Sequence, residues 1–412
     1  MSRTTKLLTV LTATALASGV LVAAGPPSAA DDEVFAATSA IAVPGNPITS
    51  FDISFVDPAI GLYLLADRSN KAIDVFDTAT NKFVGQFGHG LFTGTAACTP
   101  PAGANDCAGP DGVLVANGNQ VWVGDGNSRV WVLNLNGNLT AGPISTALDP
   151  MTPDPTRADE LCHDDNNQII LIANDASEPH PFVTFISSTS FAVLGHIVMD
   201  GKEGRPDAAG GIEQCQWSPR TGKFYLNVPN PAEHPDDGVV LQIDPVSETI
   251  EKSFPLTNSG CNGNAGMALG PFPQALLGCS NAGPNSVVIN LNSGSVIGTL
   301  AGEAGADEVW FNPANGQYFM GSGNHLTAVG GATAPILGIV DTAGKRSDLG
   351  PTTAVGSHSV AADPVKNQVY VPINSNPAQG GASGICGANG GMNANGCIAV
   401  FTVISGTDDK AK

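Results

Sequence analysis

The sequence is poor in positive charge. Of its 412 residues only 17 are Lys or Arg, against 37 Asp or Glu, so the formal net charge is −20 at pH 7. Binding to nucleic acid or to an anionic membrane surface requires Lys and Arg to neutralise phosphate. The composition therefore argues against both kinds of partner, whereas a field of this sign favours solubility and the capture of cations.

Long apolar runs and familiar catalytic motifs are also missing. After residue 30 no stretch reaches the roughly 18 consecutive apolar residues of a membrane-spanning helix, so no membrane span is predicted there. The sequence contains no G-x-S-x-G nucleophile turn, no G-x-x-x-x-G-K-[ST] phosphate loop, no H-E-x-x-H zinc motif and no C-x-x-C-H haem motif. None of the enzyme classes that carry these motifs is indicated.

The first thirty residues have the pattern of an export signal. Arg3 and Lys6 form a basic start, an apolar run covers residues 7–24, and small residues at 28–30 offer a cleavage site. We therefore predict a signal peptide over 1–30 and a mature protein that is secreted to an extracellular or periplasmic compartment.

Eight cysteines, an even number, follow this signal, so disulfides are expected. Their spacing favours local pairs between Cys98 and Cys107, Cys261 and Cys279, and Cys386 and Cys397. The remaining two, Cys162 and Cys215, lie at nearly the same point of successive repeats, and neighbouring repeat strands can bring them together. No Cys/His zinc spacing is present.

One unit recurs seven times along the chain. The 50 Gly and 30 Pro separate short β-branched and aromatic runs, and six steps from residue 52 to residue 358 average 51 residues. A period of about 40–50 residues with three or four strands is typical of propeller blades. We predict an all-β, seven-bladed β-propeller over residues 31–408, followed by a disordered tail at 409–412. The strand at 33–44 is expected to complete the last blade and to close the ring.

The segment AIDVFDTATNKFVGQF at 72–87 resembles the YVTN-type propeller repeat, with matches at Asp77, Thr78, Asn81 and Lys82. The resemblance covers one blade well, and the other blades match the repeat only in the spacing of their strands and turns. It implies a propeller fold, which is shared by binding proteins and by lactonase-like enzymes.

Acidic residues recur at one phase of the repeat. Counting six residues back from the turn proline gives Asp52, Glu213, Asp307 and His358, and alignment of the second and third units adds Asp111 and Asp159. Inner strands of successive blades begin at one face of the central channel, so these six side chains are expected to form a ring. A register shifted by one residue would instead turn Glu160, Gln214 and Glu308 inward.

Crowded carboxylates repel one another unless a cation neutralises them. The six ring residues are therefore predicted to bind a divalent metal. Ca²⁺ is the first choice because carboxylate oxygens are hard ligands, and His358 opens the alternatives Zn²⁺ and Mn²⁺. The competing interpretation is a hydrated channel mouth whose acids cap turn amides.

Two functions remain open. The first is a metal-dependent hydrolase of the lactonase or esterase kind, or a lyase, with Asp307, His358 and Glu213 as catalytic residues and with Arg68, His180, His234 and His325 contacting a small-molecule substrate. This arrangement resembles gluconolactonase-like and paraoxonase-like propellers, in which acidic and amide residues hold a divalent ion at the channel. The second is a non-enzymatic extracellular propeller that binds a small molecule or a surface partner. In either case we expect a monomer.

Overall fold

Seven antiparallel sheets surround a common axis in the computed structural model of the protein. It describes residues 34–404 except 97, 99–104, 153, 178, 209, 280–284, 304, 327–332, 345–355, 376–383 and 389–394. The predicted signal peptide at 1–30 and the tail at 409–412 lie outside these residues. The predicted seven-bladed, all-β propeller is confirmed.

Each blade begins at the axis and runs outward, and its strands are listed here in chain order. Before the first blade comes β1 (Val34–Ile41). Blades one to three contain β2 (Ser54–Asp57), β3 (Leu62–Asp67), β4 (Ala72–Asp77), β5 (Lys82–Phe87); β6 (Val113–Ala116), β7 (Gln120–Asp125), β8 (Arg129–Asn134), β9 (Leu139–Ser145); and β10 (Leu161–Asp164), β11 (Ile169–Asn174), β12 (Phe182–Ser187), β13 (Val193–Val198).

Blades four and five contain β14 (Cys215–Ser218), β15 (Lys223–Val228), β16 (Val239–Asp244), β17 (Thr249–Pro255) and β18 (Asn264–Leu269), β19 (Gln274–Cys279), β20 (Asn285–Asn290), β21 (Val296–Ala301). Among the described residues the sixth blade shows three strands, β22 (Val309–Asn312), β23 (Gln317–Leu326) and β24 (Thr333–Asp341). The seventh contains β25 (Ala361–Asp363), β26 (Gln368–Ile373) and β27 (Cys397–Ile404), with one short helix, α1 (Gly384–Ala388), between the last two.

The ring closes through the N-terminal strand, as predicted. β1 pairs antiparallel with β27 from Val34 opposite Ile404 to Ile41 opposite Ile398, and it forms the outer strand of the seventh blade. The innermost strands contact one another in the cyclic order β2, β6, β10, β14, β18, β22, β25 and back to β2. The first and last repeats are therefore neighbours, and residues at one phase of all seven meet at the axis.

Proline turns link the first and second strands of several blades. In the first of them Pro58 fixes φ, the carboxylate of Asp57 accepts the amide of Ala59 at 2.9 Å, and Gly61 closes the turn with a φ of 68°. Glycine adopts such positive φ values most readily, and Asn367 takes this position in the last blade with a φ of 51°. Gly222 and Gly316 do the same at 65° and 69°, which explains why the same turn recurs along the sequence.

Apolar side chains fill the spaces between neighbouring blades. Leu171 and Phe185 of the third blade share one buried cluster with Phe224 and Leu241 of the fourth, and Tyr63 of the first blade stacks on Tyr370 of the seventh with ring centroids 4.8 Å apart. Because each blade buries both faces against others, removing one blade would expose two apolar surfaces.

All four predicted disulfides are formed: Cys98–Cys107, Cys162–Cys215, Cys261–Cys279 and Cys386–Cys397. Cys162 and Cys215 join the inner strands of adjacent blades, with their Cα atoms 5.8 Å apart. Four disulfides indicate an oxidising environment. Within the part of the chain that the structure describes, no helix has the length and apolar character needed to span a bilayer.

Candidate metal centre

The predicted ring residues lie where the inner strands begin. Backbone hydrogen bonds to the second strand of the same blade hold four of them, for example from Asp52 N to Ala66 O at 2.9 Å and from Asp159 N to Ala173 O at 2.8 Å. Asp111 and Glu213 make the same bond, each at 3.0 Å, to Gly124 and Asn227. This shared anchoring gives the side chains of distant repeats one common direction.

Arg68 neutralises one part of the ring. Its guanidinium is buried, ion-pairs with Asp52 and Asp111, and donates from Nε to Oδ1 of Asp111 at 2.8 Å. Burial tends to raise the pKa of Asp52, but Arg68 and then His358 outweigh it and hold that pKa below the usual range. Burial raises the pKa of Asp111 to about 8, with Arg68 opposing the shift and Asp52 adding to it. A single guanidinium group thus ion-pairs with two carboxyl groups.

Arg157 neutralises a second part. It donates from Nη2 to Oδ2 of Asp175 at 2.9 Å. Its Nε lies 2.5 Å from Oδ2 of Asp159 but makes no aligned hydrogen bond, so this contact is an ion pair only. Burial raises the pKa of Asp159 well above the usual range, with Arg157 opposing. Asp175 also accepts the amide of Ile212 at 3.0 Å.

No arginine ion-pairs with Glu213, Asp307 or His358 among the described residues. His358 Nε2 lies 3.6 Å from Oδ1 of Asp52 and 3.9 Å from Oδ2 of Asp307. Asp52, Asp307 and His358 each place a ligand atom within 4.8 Å of the other two. The side chains of Asp307 and His358 are 34% and 28% exposed, so the trio is accessible from solvent. We call these three residues the open trio.

The histidine of the open trio is oriented for ligation. His358 donates from Nδ1 to the carbonyl of Gly356 at 2.8 Å, and its ring stacks on Phe51 with centroids 4.9 Å apart and planes 7° apart. A hydrogen bond on Nδ1 leaves the lone pair of Nε2 for a metal. Burial lowers the pKa of His358, but Asp52 and Asp307 outweigh it and raise that pKa. Nearby carboxylates therefore favour a positive charge at this point.

A second group, Asp52, Asp111 and Asp159, also brings three carboxylate oxygens within 4.8 Å of one another. Oδ2 of Asp111 and Oδ1 of Asp159 are buried without a hydrogen-bond partner. Of the six predicted ligands, Glu213 belongs to neither group among the described residues. Burial raises the pKa of its carboxyl well above the usual range, and the charges of Asp175, Asp307 and Asp159 add to the shift.

The residues one position further along form a second level of the channel. Glu308 accepts Ser54 N and Val360 N at Oε2, both at 3.1 Å, and Gln214 accepts Met267 N and Val309 N at Oε1. Each caps free amides on the inner strands of the next two blades. Glu160 is buried at the same level. The two registers are therefore not alternatives, because both sets of side chains border the axis.

The predicted substrate-contacting residues are dispersed. Arg68 is engaged in the ring, His180 lies 3.4 Å from Asp207 in the loop before β12, and His234 is half-buried in the loop before β16. His325 lies in β23, and its side chain is outside the described part. Among the described side chains, neither His180 nor His234 joins the open trio.

Asp175 joins the ring through Arg157, although it was not among the six predicted ligands. It directly follows β11, as Arg68 directly follows β3. In both blades the residue that follows the second strand therefore reaches the ring. Because the two residues occupy the same position in the repeat, this placement can be predicted from the sequence.

No family model matches the chain, and no curated protein matches its sequence. Solved structures match in fold. A chain of the mitotic checkpoint complex is 10% identical, with a TM-score of 0.58, over 95% of this chain and 99% of that one. The RRP9 WD40 repeats are 7% identical, with a TM-score of 0.60, over 90% and 98%. The Neurospora crassa Pan2 WD40 domain is 11% identical, with a TM-score of 0.53, over 83% and 93%.

The chain is thus a β-propeller repeat protein whose structural neighbours are WD40 propellers. At these identities the similarity establishes the fold alone. The evidence for function lies in the side chains that border the channel.

Proposed function

We propose that this protein is an exported, divalent-metal-dependent hydrolase that acts on esters or lactones at the mouth of its channel. The observation that carries the proposal is the open trio: Asp52, Asp307 and His358 converge within 4.8 Å, and two of the three remain solvent-accessible. Export is supported by the four disulfides and by the signal-like pattern at 1–30, and the YVTN-like segment at 72–87 is compatible with such a propeller.

The open trio is favoured over the buried acidic group for electrostatic reasons. Arg68 and Arg157 already compensate Asp111 and Asp159, and an added divalent ion would meet two guanidinium groups there. Asp307 has His358 as its only cationic contact among the described residues. The open trio therefore has more unneutralised negative charge than the buried acidic group, and a metal bound there would neutralise it.

The ligand set also selects the ion. Ca²⁺ takes six to eight oxygen ligands, whereas an imidazole nitrogen with two carboxylates suits Zn²⁺ or Mn²⁺. The trio thus shifts the preference from Ca²⁺ towards a transition metal. Three protein ligands leave positions for water and substrate.

Asp52, Asp307 and His358 would hold the ion, which when bound would polarise a substrate carbonyl. Water adds to the carbonyl carbon, the C–O bond to the alcohol breaks, and the alkoxide takes a proton. Burial, to which the charges of Asp175 and Asp307 add, raises the pKa of the Glu213 carboxyl well above the usual range, which suits the role of general acid. In that role Glu213 would give a proton to the alkoxide and regain one from the added water.

Metal analysis of the purified protein and turnover of 4-nitrophenyl acetate and γ-butyrolactone test the proposal. We expect one equivalent of Zn²⁺ or Mn²⁺, turnover that a chelator abolishes and the metal restores, and loss of both in His358→Gln. The matched control His89→Gln, an exposed histidine outside the predicted site, should retain both. Absence of metal binding for Zn²⁺, Mn²⁺ and Ca²⁺ alike would refute the proposal.

A binding propeller without catalysis is the second candidate. It is favoured by the two arginines that hold the ring acids in place without any metal, since such a ring is stable as a scaffold. Metal binding by the open trio without turnover of either substrate would support this candidate against the hydrolase.

A further inference from the structure

Beyond the ring, the central channel widens into a cavity of about 440 Å³ that the candidate metal centre does not use. This volume lies within the range of small-molecule sites. Inner strands of six blades, β2, β6, β10, β14, β18 and β22, contribute to its wall. We call it the channel cavity.

The end of the channel cavity nearest the ring is polar and incompletely bonded. Glu160 as a residue is 4% exposed and lines the cavity, and among the described residues no side chain or amide donates a hydrogen bond to its carboxyl group. Glu308 uses only Oε2 for the amides it caps, and Gln214 uses only Oε1. Buried carboxyl oxygens without donors are costly unless a ligand or water satisfies them.

The other end is aromatic. Phe55, Trp217, Trp310 and Phe311 line the cavity where the inner strands end, and the rings of Phe55 and Trp310 meet edge to face at 5.5 Å. Asp165 accepts the indole N–H of Trp217 at 3.1 Å and adds a carboxylate at this opening. The described lining residues include no Lys or Arg.

We propose that the channel cavity is a site for an organic ammonium ion with an apolar body. Carboxyl groups at the closed end supply acceptors for an N–H donor, aromatic rings at the opening attract a cation and pack against its apolar part, and the apolar wall between them accommodates the carbon skeleton. The net charge of −20 draws cations towards the channel.

Other ligand classes fit less well. An anion would meet Glu160, Glu308 and Asp165 with no lining Lys or Arg. A metal ion would need three clustered ligand atoms, and the acids of the channel cavity form no such group among the described residues. A neutral alcohol can make the same hydrogen bonds and apolar contacts but lacks the positive charge, so we expect it to bind more weakly than the ammonium ion.

Calorimetry and tryptophan fluorescence with benzylamine test the site, with benzyl alcohol and benzoate as neutral and anionic counterparts. We expect benzylamine to bind and to quench Trp217 and Trp310, and the alcohol to bind at least about tenfold more weakly. Glu160→Gln should weaken benzylamine binding by about tenfold, equal to about 1.4 kcal/mol. Glu203→Gln, which removes an exposed charge elsewhere, is the matched control.

A second variant covers the case in which Glu160→Gln disturbs folding. Val115→Trp fills the opening from a half-buried position and should abolish benzylamine binding. His358→Gln should leave it unchanged, which separates this site from the metal centre. Equal affinity for benzylamine and benzyl alcohol, an unaltered affinity in Glu160→Gln, or no binding at about 10 mM amine would each overturn the proposal.

Discussion

Arg68 donates two hydrogen bonds to a single oxygen of Asp111, from Nε at 2.8 Å and from Nη2 at 2.5 Å, while the second oxygen of Asp111 is buried without a partner. The same guanidinium pairs with Asp52. A single buried arginine thus joins the first two blades at the axis, and the stability of the ring depends on it.

Replacement of Arg68 by Met should therefore lower the free energy of unfolding by about 3–5 kcal/mol, the usual cost of leaving a buried charge without its partner. Urea denaturation at neutral pH measures it. Adding Asp52→Asn to Arg68→Met should recover part of the loss, because no unpaired charge then remains at that position. Arg129→Met, at an exposed position, should change little. A loss below about 1 kcal/mol for Arg68→Met would show that the ring does not rely on the ion pair.

Metal binding at the open trio should stabilise the fold. At a free Mn²⁺ concentration of about 100 times Kd, binding to the folded state adds about 2.7 kcal/mol to the free energy of unfolding. We expect Asp307→Asn to abolish this gain and Asp236→Asn, at an exposed loop position, to retain it. Thermal denaturation with and without Mn²⁺ provides the measurement. An equal gain in both variants would place the ion elsewhere.

The blade count, the closing strand and the meeting of ring residues were predictable because each depends on spacing. Pro58 and Pro364 mark the same point of the first and last repeats, and closure brings those repeats together, so Asp52 and His358 end 3.6 Å apart. Equal phase likewise predicted the disulfide between Cys162 and Cys215.

Two features of the channel were not predictable in the same way. Arg68 and Asp175 share one phase of the repeat, but which ring acids the Arg68 guanidinium pairs with depends on loop conformation, which a single sequence does not show. Alternation in a strand suggested that either Asp307 or Glu308 faces the axis, but not both. An inner strand turns its edge, not a face, towards the axis, so both side chains border the channel, and Glu308 caps free amides of the next two blades.

Asp74 and Asp67 form a buried acidic pair in the first blade that should limit stability at neutral pH. Burial raises the pKa of Asp74 well above the usual 3.8, and the charge of Asp67 adds to the shift. The folded state thus holds a proton that the unfolded state releases, so stability falls as pH rises above about 4. Asp74→Asn should raise the free energy of unfolding at pH 7 by about 1–2 kcal/mol.

In this variant the new side-chain amide at position 74 would donate to Asp67 in place of the shared proton. Asp77→Asn on the same strand is the control, because Thr80 lowers the pKa of Asp77 and no gain is expected. Denaturation curves at several pH values test both. Unchanged stability of Asp74→Asn at pH 7 would mean that the pair is ionised in the folded protein.

The disulfide between Cys162 and Cys215 closes a loop with a sequence separation of 53, whereas Cys261–Cys279 closes one of 18. On the chain-entropy estimate these are worth about 4 and about 3 kcal/mol. Replacing both cysteines of a pair with Ala should therefore cost more for the first pair than for the second. Equilibrium denaturation of the two double variants tests the order, and the reverse order would show that local packing outweighs loop length.

Glu308 should be required for its oxygen atoms and not for its charge. Its Oε2 accepts bonds from Ser54, Ser359 and Val360, and burial raises its pKa from 4.5 to about 8 although these donors oppose the shift. The folded state therefore binds the proton more tightly, and its stability declines as pH rises from about 4.5 to about 8.

Glu308→Gln keeps a carbonyl acceptor, so it should fold and should remove this decline. Glu308→Ala leaves buried amides without an acceptor and should cost about 1–3 kcal/mol for each group left unsatisfied. Urea titrations at pH 5 and pH 8 distinguish the two variants. If Gln and Ala were equally destabilising at both pH values, the negative charge itself would be what the channel requires.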